Sequence, residues 1–328
     1  MSLSNDSIVS VSIPPEYAGQ RLDQTLAGLL PDFSRSQIQK WIRSGNVLVD
    51  AALPRARDKV QGGEEVTVSV PREPAAAWEA QSIPLDVVFQ DEHLLVINKP
   101  AGLVVHPAAG NWEGTLLNAL LSFDPELGQL ARAGIVHRLD KETSGLLVVA
   151  RSERARRHLI DQLRERTLER EYLAVVCGVM VAGGTVDAPI GRHRVHRTRM
   201  AVNPAGKAAV SHYRVEARYR AHSLLRIKLE SGRTHQIRVH MAHLHFPILG
   251  DPVYGGRLHI PAASSESFAA ALRGFRRQAL HAARLGLIHP VSGKAMSWTS
   301  PLPADMQELV KALETDAKTH RQEHGHNG

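Results

Sequence analysis

Gly134-Ile-Val-His-Arg-Leu-Asp-Lys-Glu-Thr-Ser-Gly-Leu-Leu-Val-Val-Ala150 sets the carboxylate of Asp140 between two cations, Arg138 and Lys141, ahead of a Thr-Ser-Gly turn. Apolar runs flank it, Gly134-Ile135-Val136 before and Leu146 to Ala150 after, so the segment reads as strand–turn–strand with an acid at the tip. Neighbouring cations favour the charged form of a carboxylate. The pattern suits an ionised acid held ready in a cleft. Taken alone, it fits equally well a turn Asp that caps its own backbone.

Working outward, 328 residues are long for one domain and comfortable for two. Apolar residues at 43% are enough for a real core, and no apolar run approaches the length of a membrane span. The start, Met-Ser-Leu-Ser-Asn-Asp, has no basic region followed by an apolar one, so no export signal is expected. The single cysteine, Cys177, excludes an internal disulfide and suits a reducing, cytoplasmic setting. Its apolar neighbours, Leu173-Ala-Val-Val, make it a core thiol in this reading.

The net charge of +7 points weakly to a polyanionic partner, and the distribution of charge points more strongly. Ala188 to Val215 holds no acid but carries Arg192, Arg194, Arg197, Arg199, Lys207 and Arg214. Ser231 to Gly250 is also acid-free and carries Arg233, Arg238 and four histidines. A solvated surface mixes signs, so one-sign blocks read as footprints for phosphates.

The spacing separates several parts. Residues 1–20 read as an arm with a short strand at Ile8 to Ile13. Residues 21–70 form a small unit, with Leu22, Leu26, Leu29 and Leu30 on one helix that Pro31 ends. A second helix follows, with Ser34 as N-cap, Ile38, Trp41 and Ile42 as its stripe and Gly45 as its stop. Strands are expected at Val47–Val49 and Val60–Val70. Arg35, Lys40 and Arg43 lie on or near the polar face of the second helix, which makes the unit a candidate RNA-binding module. Residues 71–82, with two prolines and few large apolar side chains, read as a linker.

The large domain is expected over 83–316. Its strand candidates are 85–90, 94–98, 145–150, 171–178, 209–217 and 224–230. Its helix candidates are 115–123, 153–166, 306–316 and, more loosely, 234–243. Many adjacent strands and fewer helices predict an α+β fold with a mainly antiparallel mixed sheet. The polar, His-rich segment 317–328 reads as a mobile tail.

Several chemistries compete for Asp140. His137-Arg138-Leu139-Asp140 is reminiscent of a kinase catalytic loop, but there is no Gly-rich phosphate loop and no Asp-Phe-Gly. Among eighteen histidines, His240, His243 and His245 lie close together, yet no His-Glu-x-x-His occurs and no cysteine cluster supports zinc. Glycoside hydrolysis needs a second carboxylate, and only Glu142 stands near. One carboxylate, arginine support and a basic surface suit an isoenergetic rearrangement, such as moving a uracil from an N- to a C-glycosidic bond.

Six segments, quoted from this sequence, carry a resemblance. They are Leu94-Leu-Val-Ile-Asn-Lys-Pro-Ala-Gly-Leu-Val-Val-His-Pro107, Gly134–Ala150, Arg170-Glu-Tyr-Leu-Ala174, Ser231-Gly-Arg-Thr-His-Gln-Ile-Arg-Val-His240, Leu249-Gly-Asp-Pro-Val-Tyr-Gly255, and Leu280-His-Ala282 with His289-Pro290. With them the chain resembles the ribosomal large-subunit pseudouridine synthases, most closely their synthase D branch, from about Ala18 to Leu313. Arg21-Leu-Asp23, Ser34-Arg35-Ser36 and Gly45-Asn-Val47 make the small unit similar to the S4 RNA-binding domain. Where S4 units often carry an Asn-Gly hairpin, this chain reads Val49-Asp-Ala-Ala-Leu-Pro-Arg55.

The resemblance implies a pseudouridine synthase catalytic domain behind a small S4-like α/β domain. It implies Asp140 as catalytic aspartate, Arg238 as its basic partner and Tyr172 as the aromatic beside the target base. Arg138 would displace the flipped nucleotide, since a stacked base cannot present its glycosidic bond. Further RNA contacts are expected from His137, Arg233 and His235, from Arg35, Lys40 and Arg43, and from Arg192, Arg194, Arg197, Arg199 and Lys207. The implied partner is large-subunit rRNA or the pre-ribosomal large subunit, with no membrane, no obligatory protein partner, no metal and no cofactor.

Overall fold

The computed structural model describes residues 7–30, 33, 35–70, 78–107, 110–196 and 199–324. The chain divides into two units, Met1–Ala77 and Trp78–Gly328.

In the first unit β1 (Ser7–Ser12), α1 (Leu22–Leu29), α2 (Arg35–Arg43), β2 (Val47–Val49) and β3 (Glu65–Val70) follow in order. The strands pair antiparallel in the order β1-β3-β2. Leu22 and Leu26 of α1, Ile38, Trp41 and Ile42 of α2, and Val66 and Val68 of β3 share one core. Helical i, i+3 and i+4 spacing and strand i, i+2 spacing each turn one apolar face inward. The expected N-cap Ser34 lies outside the described residues.

Two expectations change here. Of the expected arm over 1–20, residues 1–6 lie outside the described residues, and 7–20 are not simply an arm, because β1 forms an edge of the sheet and Ile13 is buried in the core. The strand foreseen over 60–70 begins only at Glu65, because Gln61 and Gly62 donate their amides to the Glu64 carboxylate in a turn. At the tip after β2, Asp50 and Ala51 both take positive φ, 47° and 65°, and Val49 and Ala52 exchange backbone hydrogen bonds. That is the two-residue hairpin conformation usually given to Asn-Gly, here made by Asp-Ala.

The second unit contains β4 (Val87–Gln90), β5 (Leu94–Lys99), α3 (Leu116–Phe123), β6 (Ser144–Ala150), α4 (Glu153–Glu165), β7 (Glu169–Cys177) and β8 (Gly184–Asp187). Then come β9 (Ile190–Arg192), β10 (Met200–Val202), β11 (Val210–Arg218), β12 (His222–Leu229), α5 (Gln236–His243) and α6 (Glu266–Gly274). β13 (Leu280–Ile288), β14 (Ala295–Thr299) and α7 (Ala304–His324) complete it. One sheet runs β4-β5-β6-β13-β7-β12-β11-β8 with β14 beside β13, and β9 and β10 make a separate hairpin. β6 and β13 are parallel while their neighbours pair antiparallel, so the sheet is mixed and mainly antiparallel, as expected.

Alternation explains the unbroken apolar runs. Leu95, Ile97, Leu147 and Val149 enter the main core with α3, α5 and α7, whereas Leu94, Val96, Leu146 and Val148 enter a second core beneath α4. A strand buried on both faces needs apolar residues at every position. Cys177 is a half-buried thiol whose pKa burial pushes up to about 11, which leaves it inert near neutral pH.

β13 was not foreseen, although it sits at the centre of the sheet. Leu280-His-Ala-Ala-Arg-Leu-Gly-Leu-Ile288 is poor in β-branched residues and shows no period-2 pattern, since burial on both faces erases alternation. The tail expected from 317 does not start there. α7 continues to His324, with Ala317 buried in the main core and Asp316 paired with Arg220 at 3.3 Å. Of the expected linker, residues 71–77 lie outside the described residues. Trp78 packs on the main core, and the Glu79 carbonyl accepts a 2.8 Å bond from Asn118 Nδ2, so residues 78–82 belong to the large unit. Among the described residues no helix is long and apolar enough to cross a membrane.

Candidate active site

A cleft of about 570 Å³ opens in the large unit, lined by Asp140, Tyr172 and Arg238 together with His137, Arg138, Arg170, Arg233 and His235. The three expected catalytic residues are thus brought together from a turn, a strand and a helix that lie far apart in sequence.

The Asp140 turn is fixed through its carbonyls. Lys99, 1% exposed at the end of β5, donates from Nζ to the carbonyls of Pro100, Leu103 and Lys141 at 2.7, 2.9 and 3.0 Å. Burial pushes its pKa down to about 7, against the pull of Glu142 and Asp140. Arg277, held by Asp305 through two bonds, donates to the carbonyl of Glu142 at 3.1 Å. The flank before the turn differs from the expected strand. It makes an isolated bridge, Ile135 to Val149, and Gly134 takes φ 76° where an added Cβ would collide with the Ala150 carbonyl oxygen.

Arg238 meets Asp140 from α5. Its Nη1 donates to Asp140 Oδ2 at 2.9 Å, while Nε and Nη2 grip Asp251 at 2.7 and 2.9 Å. The Asp251 side chain is fully buried and also accepts the amides of Val253 and Tyr254. Burial opposes the Arg238 charge, but Asp251 and Asp140 outweigh it and raise its pKa. The Asp251 pKa is lowered, because Arg238 outweighs the cost of burial. Asp140 keeps 16% exposure at the cleft, so one carboxylate is tethered yet reachable.

Tyr172, 6% exposed, points from β7 into the same space. Burial raises its hydroxyl pKa, the Arg170 cation works against that, and Asp140 adds to it. His235 stands at the N-terminus of α5 with φ 57°. Tyr254 Oη accepts from the Met200 amide at 2.9 Å and shares a second hydrogen bond, also 2.9 Å, with His235 Nδ1. His235 Nε2 lies 3.9 Å from Asp140 Oδ1.

The expected RNA contacts divide. Arg138 and Arg233 are exposed and line the cleft. Arg192, Arg194, Arg199 and Lys207 are exposed on or beside the β9–β10 hairpin, which packs on Val239 and Tyr254, while Arg197 lies outside the described residues. His137, also in the cleft lining, braces the turn as well. Its Nε2 accepts the Val148 amide at 3.1 Å, and burial, with the Arg170 cation adding, pushes its pKa down to about 3. It is a neutral brace for the turn. In the small unit Lys40 and Arg43 are exposed, whereas Arg35 bonds through Nε to the buried Asp23 at 3.1 Å. Arg21, Gln39 and Arg35 together outweigh burial and hold the Asp23 pKa down at about 2. Arg35 is therefore a clamp between α1 and α2.

His240, one of the histidines weighed for a metal, is buried between Ser211 Oγ at 2.9 Å and the Ala188 carbonyl at 3.0 Å, so both ring nitrogens are engaged. Sequence reasoning passed over Asp251, Lys99, Tyr254 and Arg170. Two signals were present. Asp251 is the first acid after the acid-free run, and Arg170 shares the face of Tyr172 by strand alternation.

The comparisons with known proteins agree with this geometry. The model of the RNA pseudouridylate synthase family matches residues 93–243, and that of the S4 domain matches residues 20–66. The ribosomal large subunit pseudouridine synthase D of Escherichia coli (strain K12) is 52% identical over 96% of this chain and 97% of its own length. The Pseudomonas aeruginosa protein of the same name is 54% identical over 94% of this chain and 96% of its own. Among solved structures, human RNA pseudouridylate synthase domain containing 4 superposes with a TM-score of 0.55 at 26% identity, over 70% of this chain and 93% of that one. A tethered carboxylate in a cleft, the mixed sheet that carries it and near-full-length similarity to these enzymes lead to one assignment: the chain belongs to the RNA pseudouridine synthase family of isomerases, on the branch of its synthase D relatives, with an S4 domain before the catalytic domain.

Proposed function

We propose that the chain isomerises several uridines of large-subunit rRNA to pseudouridine, in the stem-loop that bridges the two ribosomal subunits, acting in the cytoplasm on rRNA or the pre-ribosomal large subunit. The substrate class follows from relatives named for the large subunit that are more than half identical along almost the whole chain. The observation that carries the chemistry is the 2.9 Å bond from Arg238 Nη1 to Asp140 Oδ2. It presents a charged carboxylate to a cleft large enough for a nucleoside.

Arg138, exposed at that cleft, enters the stack as the target base swings out. Asp140 then attacks C1′ or removes the C2′ proton, and the base detaches, turns and rejoins through C5. The Tyr172 hydroxyl moves the C5 proton. The S4 domain adds affinity and register through phosphates, and the cleft reads the everted base.

Replacing Asp140 with Asn and mapping pseudouridine in rRNA tests this. The expected result is loss of the product with RNA affinity largely kept. Persistence of the product in the Asp140→Asn variant would refute the enzymatic role, and the chain would then act through RNA binding alone.

A further inference from the structure

Arg170 stands two residues before Tyr172 on β7, and both side chains line the cleft. It is 6% exposed, and its Nε has no hydrogen-bond partner. No carboxylate pairs with it among the described residues, whereas buried Arg238 holds Asp251 and Asp140 and buried Arg277 holds Asp305. The backbone leaves room for it. A Cβ at Gly232, another cleft residue, would lie 2.7 Å from Arg170 Nη1. An arginine does not shed its proton to escape burial, and an uncompensated buried charge is costly. The cleft thus holds a cation without a counter-ion, on the strand of the tyrosine that lies within electrostatic reach of both Arg170 and Asp140.

The reaction proposed above, on which this inference rests, creates an anion in that place. When N1–C1′ breaks, its electron pair stays on uracil and spreads over N1, O2 and O4. C1′ is compensated by a new bond to an Asp140 oxygen, or by a C1′–C2′ double bond once Asp140 has taken the C2′ proton. The same uracil anion is freed either way. It is consumed when C5 bonds to C1′, Asp140 is released or returns its proton to C2′, and the C5 proton passes to N1. We propose that Arg170 is a catalytic residue that receives this detached uracil anion, donating to its carbonyl oxygens as the negative charge develops. A preorganised donor aimed at developing charge acts most strongly in a site sheltered from water. Phosphates are better served by Arg138 and Arg233, which are exposed at the cleft.

Leaving-group dependence tests the assignment. A transcript of the large-subunit rRNA stem-loop is made with uridine or with 5-fluorouridine, whose electron-withdrawing fluorine yields a more stable anion. N-glycosidic cleavage is followed under single turnover for the wild type, Arg170→Met and Arg170→Lys. On uridine the Met variant should lose about 100-fold or more in rate, the scale seen when one such donor is removed. On 5-fluorouridine its loss should be at least about 10-fold smaller, because the better leaving group needs the cation less. The Lys variant should fall between, with RNA affinity little changed in both.

Equal losses on the two RNAs would overturn the proposal. So would weaker binding with a shallower salt dependence, which marks a phosphate contact. A C5 deuterium isotope effect that grows in the variant would place the action in Tyr172 proton transfer instead. A sharp fall in Tm for Arg170→Met would also count against it, since removing an unpaired charge should not destabilise the fold. Wild-type protein that cleaves neither RNA would remove the reading beneath the proposal, and the proposal with it.

Discussion

Asp251 decides where Arg238 can meet Asp140. Its carboxylate takes Nε and Nη2 of Arg238 at 2.7 and 2.9 Å, leaving Nη1 aimed at Asp140 Oδ2. Two bonds along one edge fix the guanidinium plane, which a single contact could not do.

Asp251→Asn should therefore lower kcat by about 10–100-fold with little effect on RNA affinity, because small misplacements near the reacting atoms cost rates of that order. Asp251→Ala should destabilise the large unit by about 3–5 kcal/mol, since it breaks a buried pair and leaves the Arg238 cation only its single bond to Asp140. Single-turnover assays and urea denaturation measure the two effects. An Ala variant that loses less than about 1 kcal/mol would contradict the buried-pair account.

His137 predicts acid sensitivity. Its folded-state pKa is pushed down to about 3, below the ordinary 6.5. Between those values the unfolded chain binds a proton that the folded one refuses, so stability falls as pH drops from 6.5 towards 3. His137→Gln, which keeps an acceptor for the Val148 amide, should flatten that slope by up to about 1.4 kcal/mol per pH unit. Denaturation series across the acid range compare the variant with the wild type. Identical slopes would show that His137 does not titrate with unfolding.

Ala51 predicts a gain. It sits at φ 65°, a left-handed position that disfavours any Cβ. Ala51→Gly should stabilise the S4 domain by about 0.5–1 kcal/mol, the relief of strain exceeding the added freedom of the unfolded chain. Thermal melts should rise accordingly, and a fall would mean that the turn is not under strain.

The basic residues should separate by function. Arg194→Ala and Arg199→Ala, on the exposed hairpin, should each make the dependence of log affinity on log salt shallower by about 1, with saturating kcat kept. Arg35→Ala should instead lower the stability of the S4 domain, because it removes a bond to buried Asp23. Filter binding across a salt series and thermal melts distinguish the two classes. A hairpin variant with an unchanged salt slope would remove that arginine from the RNA contacts.

Much of this molecule is legible in its residues taken in order. The helices α1 to α4 and the strands β4 and β7 follow from periods of 3.6 and 2, and β5 and β6 from short unbroken apolar runs, because those signals are local. Asp140 stands out for a similar reason, as an acid set between cations at a turn. The acid-free blocks likewise mark where arginines gather, although not which of them are already engaged within the protein.

Partnership across distance belongs to the tertiary structure. Arg238 and Asp140 are 98 positions apart, and only the docking of α5 against the Asp140 turn joins them. The same packing makes His137 a neutral brace for the Asp140 turn, ties Arg35 to Asp23, and inserts an undistinguished Leu-rich segment as the central strand β13. Burial does this, by withdrawing water and leaving each charge to whatever neighbour the fold supplies. For Arg238 that neighbour is a pair of carboxylates, and for Arg170 it is an open cleft.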